Sequence, residues 1–377
     1  MNSASTGTKI LAALAILAIL MAALIGYYAT HKPLDAAGGL GLFKAAWQIL
    51  VPVTIVSLAG GLGKRLLGAR ESDAVNLVIE AAFGLGLISA LLALLGLTVG
   101  INMVSLLGLP ILLLAVSAKQ ALGWLKGWAS FEFAASTAVQ RTWKFFILVI
   151  LFCALATALA PPFHYDAVTY HLSLPRIYLQ TGQLSYTPDM MYGGMPQATE
   201  MLFLPAMRFG GLEAATVLGW LIGALTLSGL FAFARERFSA AAGWMAVVAL
   251  LAGMTFAESL AWGYNDWMAM LYGLTCLIAL DRWTASQSPR DLLLAAAFAG
   301  MALATKYTGG IVLLGGLAHA TKPVGQLLMN LLTGWPFGSF RYGVLYPFAT
   351  HLLFGMIGGL VGALIVLGIQ RSSNKLP

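Results

Sequence analysis

The chain alternates long apolar runs with short polar connections, and a run of about 20 mostly apolar residues is what a helix needs to cross a hydrocarbon core. Such runs cover residues 10–28, 40–62, 75–96, 99–118, 144–160, 212–233, 240–258, 267–281, 291–305, 308–321 and 345–369. The runs at 291–305 and 308–321 are short and joined without a real loop, so a half-buried or broken pair is expected there. Irregular backbone at that depth is tolerated where protein or a water-filled cavity covers it. The pattern predicts an all-α, polytopic transmembrane helical bundle of roughly ten or eleven spans with one large outer loop, 161–211. Within that loop the prolines predict short helices over 167–174, 175–181 and 197–207, with Pro196 and Pro205 framing the third. Residues 119–140, less apolar and rich in Trp, Ala and Ser, read as a cytoplasmic or interfacial amphipathic connection.

Composition agrees with lipid as the solvent. Of 377 residues, 60% are hydrophobic and 9% charged, against about 25% charged in soluble proteins. The net charge of +7 would suit nucleic acid in a soluble chain. Here the cations mark topology, and no nucleic-acid partner is expected. Lys9, Lys64, Arg65, Arg70, Lys119, Lys126, Arg141, Lys144, Arg235, Arg237, Arg282, Arg290 and Lys322 fall on one set of connections, and only Lys32, Arg176, Arg208 and Lys306 on the other. By the positive-inside rule the rich set is cytoplasmic, the N-terminus with it, and the 161–211 loop is outside. The first run is expected to be a retained span and not a cleaved signal. Cys153 and Cys276 lie inside apolar runs and imply neither disulfide nor metal cluster. Three regions follow: 1–142 with four spans and a cytoplasmic connector, 143–321 as a core including the outer loop, and 322–377 with an interfacial segment and a final Gly-rich span.

The outer loop concentrates the ionisable groups: His164, Asp166, His171, Arg176, Asp189, Glu200 and Arg208. Asp166 follows the fifth span by a few residues. A carboxylate there is either a general base toward a hydroxyl or amine or the cap of the helix it opens. His171 stands five residues on, off the face an α-helix would share with Asp166, which favours a merely polar histidine. No DxD or HxxxH pair occurs, so a divalent metal draws little support. On the same side, Tyr264, Asn265 and Asp266 open the eighth run, where Asp266 suits a helix cap. Lys306, in ATKYTGG, ends the ninth. It either snorkels to the interface or, with Thr305, Thr308 and the Gly309–Gly310 backbone, forms an anion site, with Arg176 a second candidate. A transport path would need polar residues through the spans, and before the loop these offer Asn76, Glu80 and Asn102.

The string PPFHYDAVTYHLSLPRIYLQTGQL, then MPQATEML and ALATKYTGG, resembles bacterial polytopic glycosyltransferases of the GT-C superfamily, in the group related to protein mannosyltransferases and lipid A aminoarabinose transferases (family 39-like). The resemblance covers roughly 143–316. It implies a GT-C-like fold in the bacterial cytoplasmic membrane and a polyprenyl-phosphate-linked sugar donor. It further implies inverting transfer on the outer face and an aspartate base at the position of Asp166. No cofactor is required on this reading. His171, Arg176, Glu200, Tyr264, Asn265, Asp266, Lys306 and Tyr307 become the substrate-binding candidates, Lys306 toward the donor phosphate. After about Thr321 the match fades and the chain is expected to be a shortened member. Its final span, MIGGLVGALIVLG, suits close packing against a partner membrane subunit. Two other classes compete with the enzyme: a non-catalytic subunit that kept the fold, and a transporter of lipid-linked sugars.

Overall fold

The computed structural model describes residues 36–68, 73–185, 190–312 and 315, and ten α-helices lie among them. They are α1 Ala36–Leu67, α2 Ala74–Thr98, α3 Met103–Ser130, α4 Ala138–Ala158, α5 Ser173–Thr181, α6 Ala198–Arg237, α7 Ala240–Leu251, α8 Met254–Ser259, α9 Asp266–Ser286 and α10 Pro289–Thr305. A π-helical turn, Ala167–His171, precedes α5, and 3-10 turns occupy Met191–Gly194 and Tyr307–Gly309. The expected spans 10–28 and 345–369, most of 308–321, Asp189, Lys9, Lys32, Arg70, and the 322–377 region fall outside the described residues.

The fold is an all-α polytopic bundle. Five of the described helices, α1, α2, α3, α4 and α6, are long and apolar enough to cross a membrane. α6 is the central post: it packs against α1, α2, α7 and α9, while α9 and α10 form a hairpin. The large buried side chains Phe203, Phe231, Trp267, Tyr272 and Phe298 fill the space between these elements. α3 and α4 stand at the periphery and turn Leu112, Leu114, Phe145 and Phe152 outward, the disposition of lipid-facing helices.

Several boundaries depart from the sequence reading. The expected connector 119–140 is largely helix, because α3 runs on to Ser130. α4 begins at Ala138, fixed by a capping box in which Thr137 accepts from Gln140 N and the Gln140 side chain returns to the cap backbone. Arg141 and Lys144 therefore sit on helix turns and not in a loop. The third loop helix does not end at Pro205, which lies inside α6. The chain turns instead at Gly211, at φ 81° and ψ −175°, a backbone region open essentially to glycine. The expected span 240–258 is broken at Ala252–Gly253 into α7 and α8. Pro175 starts no new helix; it occupies the first turn of α5, where a missing N–H leaves no bond unmade.

The polar residues within the early spans have structural employment. Asn76 donates to Asp73 and accepts from Arg282 at 2.7 Å, buried Glu80 faces Lys64 at 3.9 Å, and Asn102 caps α3. α1 and α2 approach so closely that a Cβ at Gly84 would collide with the Ala59 carbonyl, and one at Gly63 with that of Glu80. Small residues permit such backbone contact between apolar helices. Gly84→Leu should therefore cost about 3 kcal/mol or more, read as loss of the folded fraction during thermal unfolding in detergent.

Candidate active site at the loop end of the bundle

Helix alternation gathers the connections 99–102, 159–197, 252–265 and 306–310 at one end. Hydrogen bonds to backbone carbonyls tie them together: Ile101 N–H donates to Gly182 O at 2.7 Å, and the Tyr307 hydroxyl donates to Gly194 O at 2.9 Å. Asp166 lies in helical backbone, φ −65° and ψ −34°, and its side chain makes no capping bond. The cap alternative therefore fails for Asp166. Its backbone N–H instead donates to the Tyr264 hydroxyl at 3.2 Å, leaving the half-buried carboxylate to other partners.

The turn that follows is π-helical, closed by Leu172 N–H to Ala167 O at 2.9 Å. Five-residue spacing is the period of that hydrogen-bond pattern, and such turns recur at functional sites. His171, off-face in an α-helix, is here wound inward, 1% exposed, with Nδ1 2.5 Å from Glu200 Oε1. A carboxylate only accepts, so Nδ1 carries the hydrogen. His171 is not merely a polar loop residue: it pins the π-turn to the first turn of α6. His171 Nε2, Glu200 Oε2 and Asn265 Oδ1 are buried without a hydrogen-bond partner among the described residues. They are the groups that a water or a substrate hydroxyl at this depth would satisfy.

Asp266 is likewise not a cap. It is the first residue of α9, and its Oδ1 meets Lys306 Nζ at 2.7 Å. Asn265 holds the two segments in register, its Nδ2 donating to Thr305 O at 2.9 Å. Tyr307 is exposed and bridges to the 191–194 turn. Arg176 is exposed on α5 and no described contact brings it to this group.

Tyr170 carries a signal that the sequence reading missed. Burial and, after it, the fields of Asp166, Asp266, Glu200 and Tyr264 hold its phenol well above the ordinary 10.0. One neutral hydroxyl thus feels the field of each carboxylate of the group. Tyr264 is also raised, by burial first, with Asp166 and Asp266 contributing, so it too stays protonated. Around them runs a ribbon of rings, Phe163–His164–Trp262–Tyr264–His171–Tyr170–Tyr192, with successive centroids 4.0–5.2 Å apart. The aromatic density of the loop, with Tyr170 four residues after Asp166, was the available clue.

Burial lowers the His164 pKa below 6.5, against an opposing pull from Glu258. The fold favours the neutral ring, so this contribution to stability is complete above 6.5 and is lost as pH falls through the lowered value. A modest acid-side drop in the unfolding midpoint between about pH 7 and pH 5 should be flattened in His164→Phe, measured by thermal unfolding.

Beside the cluster an apolar cavity of about 710 Å³ opens between α2 and α10. Gly86, Ala90 and Ala93 form one wall, Ala297, Gly300 and Ala304 the other, and Tyr178 and Gln197 lie on its loop side. Ala304 is two residues from Lys306. The Tyr178 hydroxyl donates to Gln197 Oε1 at 2.9 Å, which fixes that edge. Among the described residues no three His, Cys, Asp or Glu side chains group as a metal site would require.

Residues 202–367 match the family model of dolichyl-phosphate-mannose-protein mannosyltransferases, and residues 45–177 match a domain of unknown function, DUF8201. No curated protein and no solved structure matches the chain. The mannosyltransferase match contains Tyr264, Asn265, Asp266, Lys306 and Tyr307, whereas Asp166, His171 and Arg176 fall under the other model and Glu200 between the two. The match also runs to 367, beyond the point near Thr321 where the resemblance read from the sequence stops, and begins later than 143. That match, over less than half of the chain, together with the five long apolar helices supports a multi-pass membrane glycosyltransferase.

Proposed function

We propose that the chain transfers a sugar from a polyprenyl-phosphate donor to an acceptor at the outer face of the bacterial cytoplasmic membrane, with inversion at the anomeric carbon and Asp166 as general base. The observation that carries this reading is the convergence of Asp166, Tyr264 and the Asp266–Lys306 pair at one end of the bundle, beside an apolar cavity walled by glycine and alanine. The acceptor hydroxyl gives its proton to the Asp166 carboxylate and its oxygen bonds to the anomeric carbon. The bond from that carbon to the phosphate oxygen breaks on the opposite face, and the lipid phosphate departs with the electron pair. Lys306 answers the charge that develops there. It is already paired with Asp266, so Asp266 sets its position and shares it with the incoming phosphate. Tyr264 and Tyr170, both neutral, keep hydroxyl donors beside the carboxylates without adding charge. The Gly and Ala walls leave room for an isoprenoid chain, and Arg176 is a second cation for the donor.

The test is sugar transfer in membranes supplied with a polyprenyl-phosphate sugar. Lys306→Ala should raise the donor KM and lower kcat/KM by roughly 10- to 100-fold, the loss of one charge-assisted contact of about 1.5–3 kcal/mol. Asp266→Asn should change kcat/KM less, because it frees the lysine and does not remove it. Equal activity of Lys306→Ala and wild type at limiting donor would refute the assignment of the phosphate.

A further inference from the structure

At the opposite, cation-rich end lies a cavity of about 800 Å³ that the proposed transfer does not use. Its floor is apolar, with Ile147 and Leu151 of α4, Leu227 of α6 and Val247 of α7, and Arg141 and Lys144 line its rim. In the connection between α3 and α4, residues 131–136 form the adjoining edge, and three cations serve that strip. Arg141 Nη1 donates to Ser136 O at 3.0 Å, Lys144 Nζ to Phe133 O at 3.1 Å and Arg235 Nη1 to Glu132 O at 3.3 Å. Arg235 also rides over the rings of Phe131 and Phe231, at 5.0 and 5.8 Å.

Every one of these partners is neutral. At the same end Arg237 meets Asp281 and Lys64 meets Glu80, while Arg65 and Arg290 also donate to backbone carbonyls, of Val116 and Leu67. Around the cavity, three cations stand against the single carboxylate of Glu132, which is exposed and pairs with none of them among the described residues. Carbonyl bonds position the cations without discharging them. The cavity also borders the face of α4 that presents Phe145, Leu148 and Phe152 outward. An occupant must be anionic at the rim and apolar below it.

We propose that this cavity binds an anionic phospholipid, its headgroup phosphate between Arg141 and Lys144 and an acyl chain along Ile147, Leu151 and Leu227. A free anion would satisfy the rim and leave the apolar floor wet. A zwitterionic lipid would bring its own cation to a surplus of positive charge. The position also fits the field: positive residues collect at the membrane face where anionic lipids lie, and basic pockets between spanning helices on that face bind their headgroups.

The full chain in a neutral detergent should be titrated with phosphatidylglycerol, phosphatidylcholine and inorganic phosphate while thermal unfolding is followed. Phosphatidylglycerol should raise the midpoint by roughly 5 °C, with little response to the other two. The double variant Arg141→Ala, Lys144→Ala should lose most of that shift. Equal shifts with phosphatidylcholine or with phosphate, or an undiminished shift in the double variant, overturn the proposal. Should the variant fail to fold, a photoreactive phosphatidylglycerol cross-linked to the wild-type chain decides the matter. Label within 131–151, 224–231 or 244–247 supports the site, and label confined elsewhere refutes it.

Discussion

Asp166→Asn should lower sugar transfer by roughly 10²- to 10⁴-fold, the usual contribution of a positioned general base, while expression and unfolding midpoint stay at wild-type values. The separation of the two effects is what gives the prediction force. The Asp166 side chain caps no helix, and the contact that fixes its place in the site is made by its backbone N–H to Tyr264. An amide of the same size keeps that backbone bond and the helical dihedrals, and removes only the capacity to take a proton. Transfer assays in membranes with equal amounts of each protein measure the first effect and detergent thermal unfolding the second. Retention of more than about a tenth of the wild-type rate would leave the chain without its proposed base.

Glu200→Ala should be the most damaging single change in the loop, costing roughly 3–5 kcal/mol. The carboxylate is 2% exposed and its histidine partner 1%, so neither group can turn to water when the other is lost. His171→Leu should cost a comparable amount by stranding Glu200. Because each single change leaves a buried polar group unmatched, the double variant His171→Leu, Glu200→Ala should be less damaging than the sum of the two. A double-mutant cycle on unfolding midpoints measures that difference. Additive losses would mean that the pair contributes no coupling. Activity should fall along with stability in the single variants, since the His171 ring faces Tyr264 at 5.2 Å and anchors the turn that carries Asp166.

What was legible in the sequence depended on whether the signal was local. Apolar runs of span length announced the bundle, and charge asymmetry placed the 159–197, 252–265 and 306–310 connections on one side. The helices gather those same connections at one end. Element ends were less readable. Thr137 and Gln140 form a capping box that starts α4 inside a stretch otherwise read as connector, while the prolines at 175 and 205 proved compatible with the helices that contain them. The π-turn was beyond reach, because a five-residue hydrogen-bond closure has no residue signature that separates it from an α-turn.

The site divides in the same way. Asp166, Asp266 and Lys306 stood out because ionisable groups are scarce in so apolar a chain, and their residue types alone made them candidates. Their roles were not readable. Two carboxylates at helix starts are equally good caps by sequence, and the distinction rests on where the side chain points. Asp266 turns to a lysine 40 positions away, and Asp166 leaves its cap position unused. Burial of the His171–Glu200 pair and the coupling of Tyr170 to the surrounding carboxylates likewise come from elements packed against one another across α5, α6 and α9. The sequence by itself determined that this protein is an all-α membrane bundle with a polar loop at one end, since transfer from water to lipid is additive along a run of residues. Only the tertiary structure decided which polar groups meet, because ion pairing and burial depend on distances between segments that the order of residues does not record.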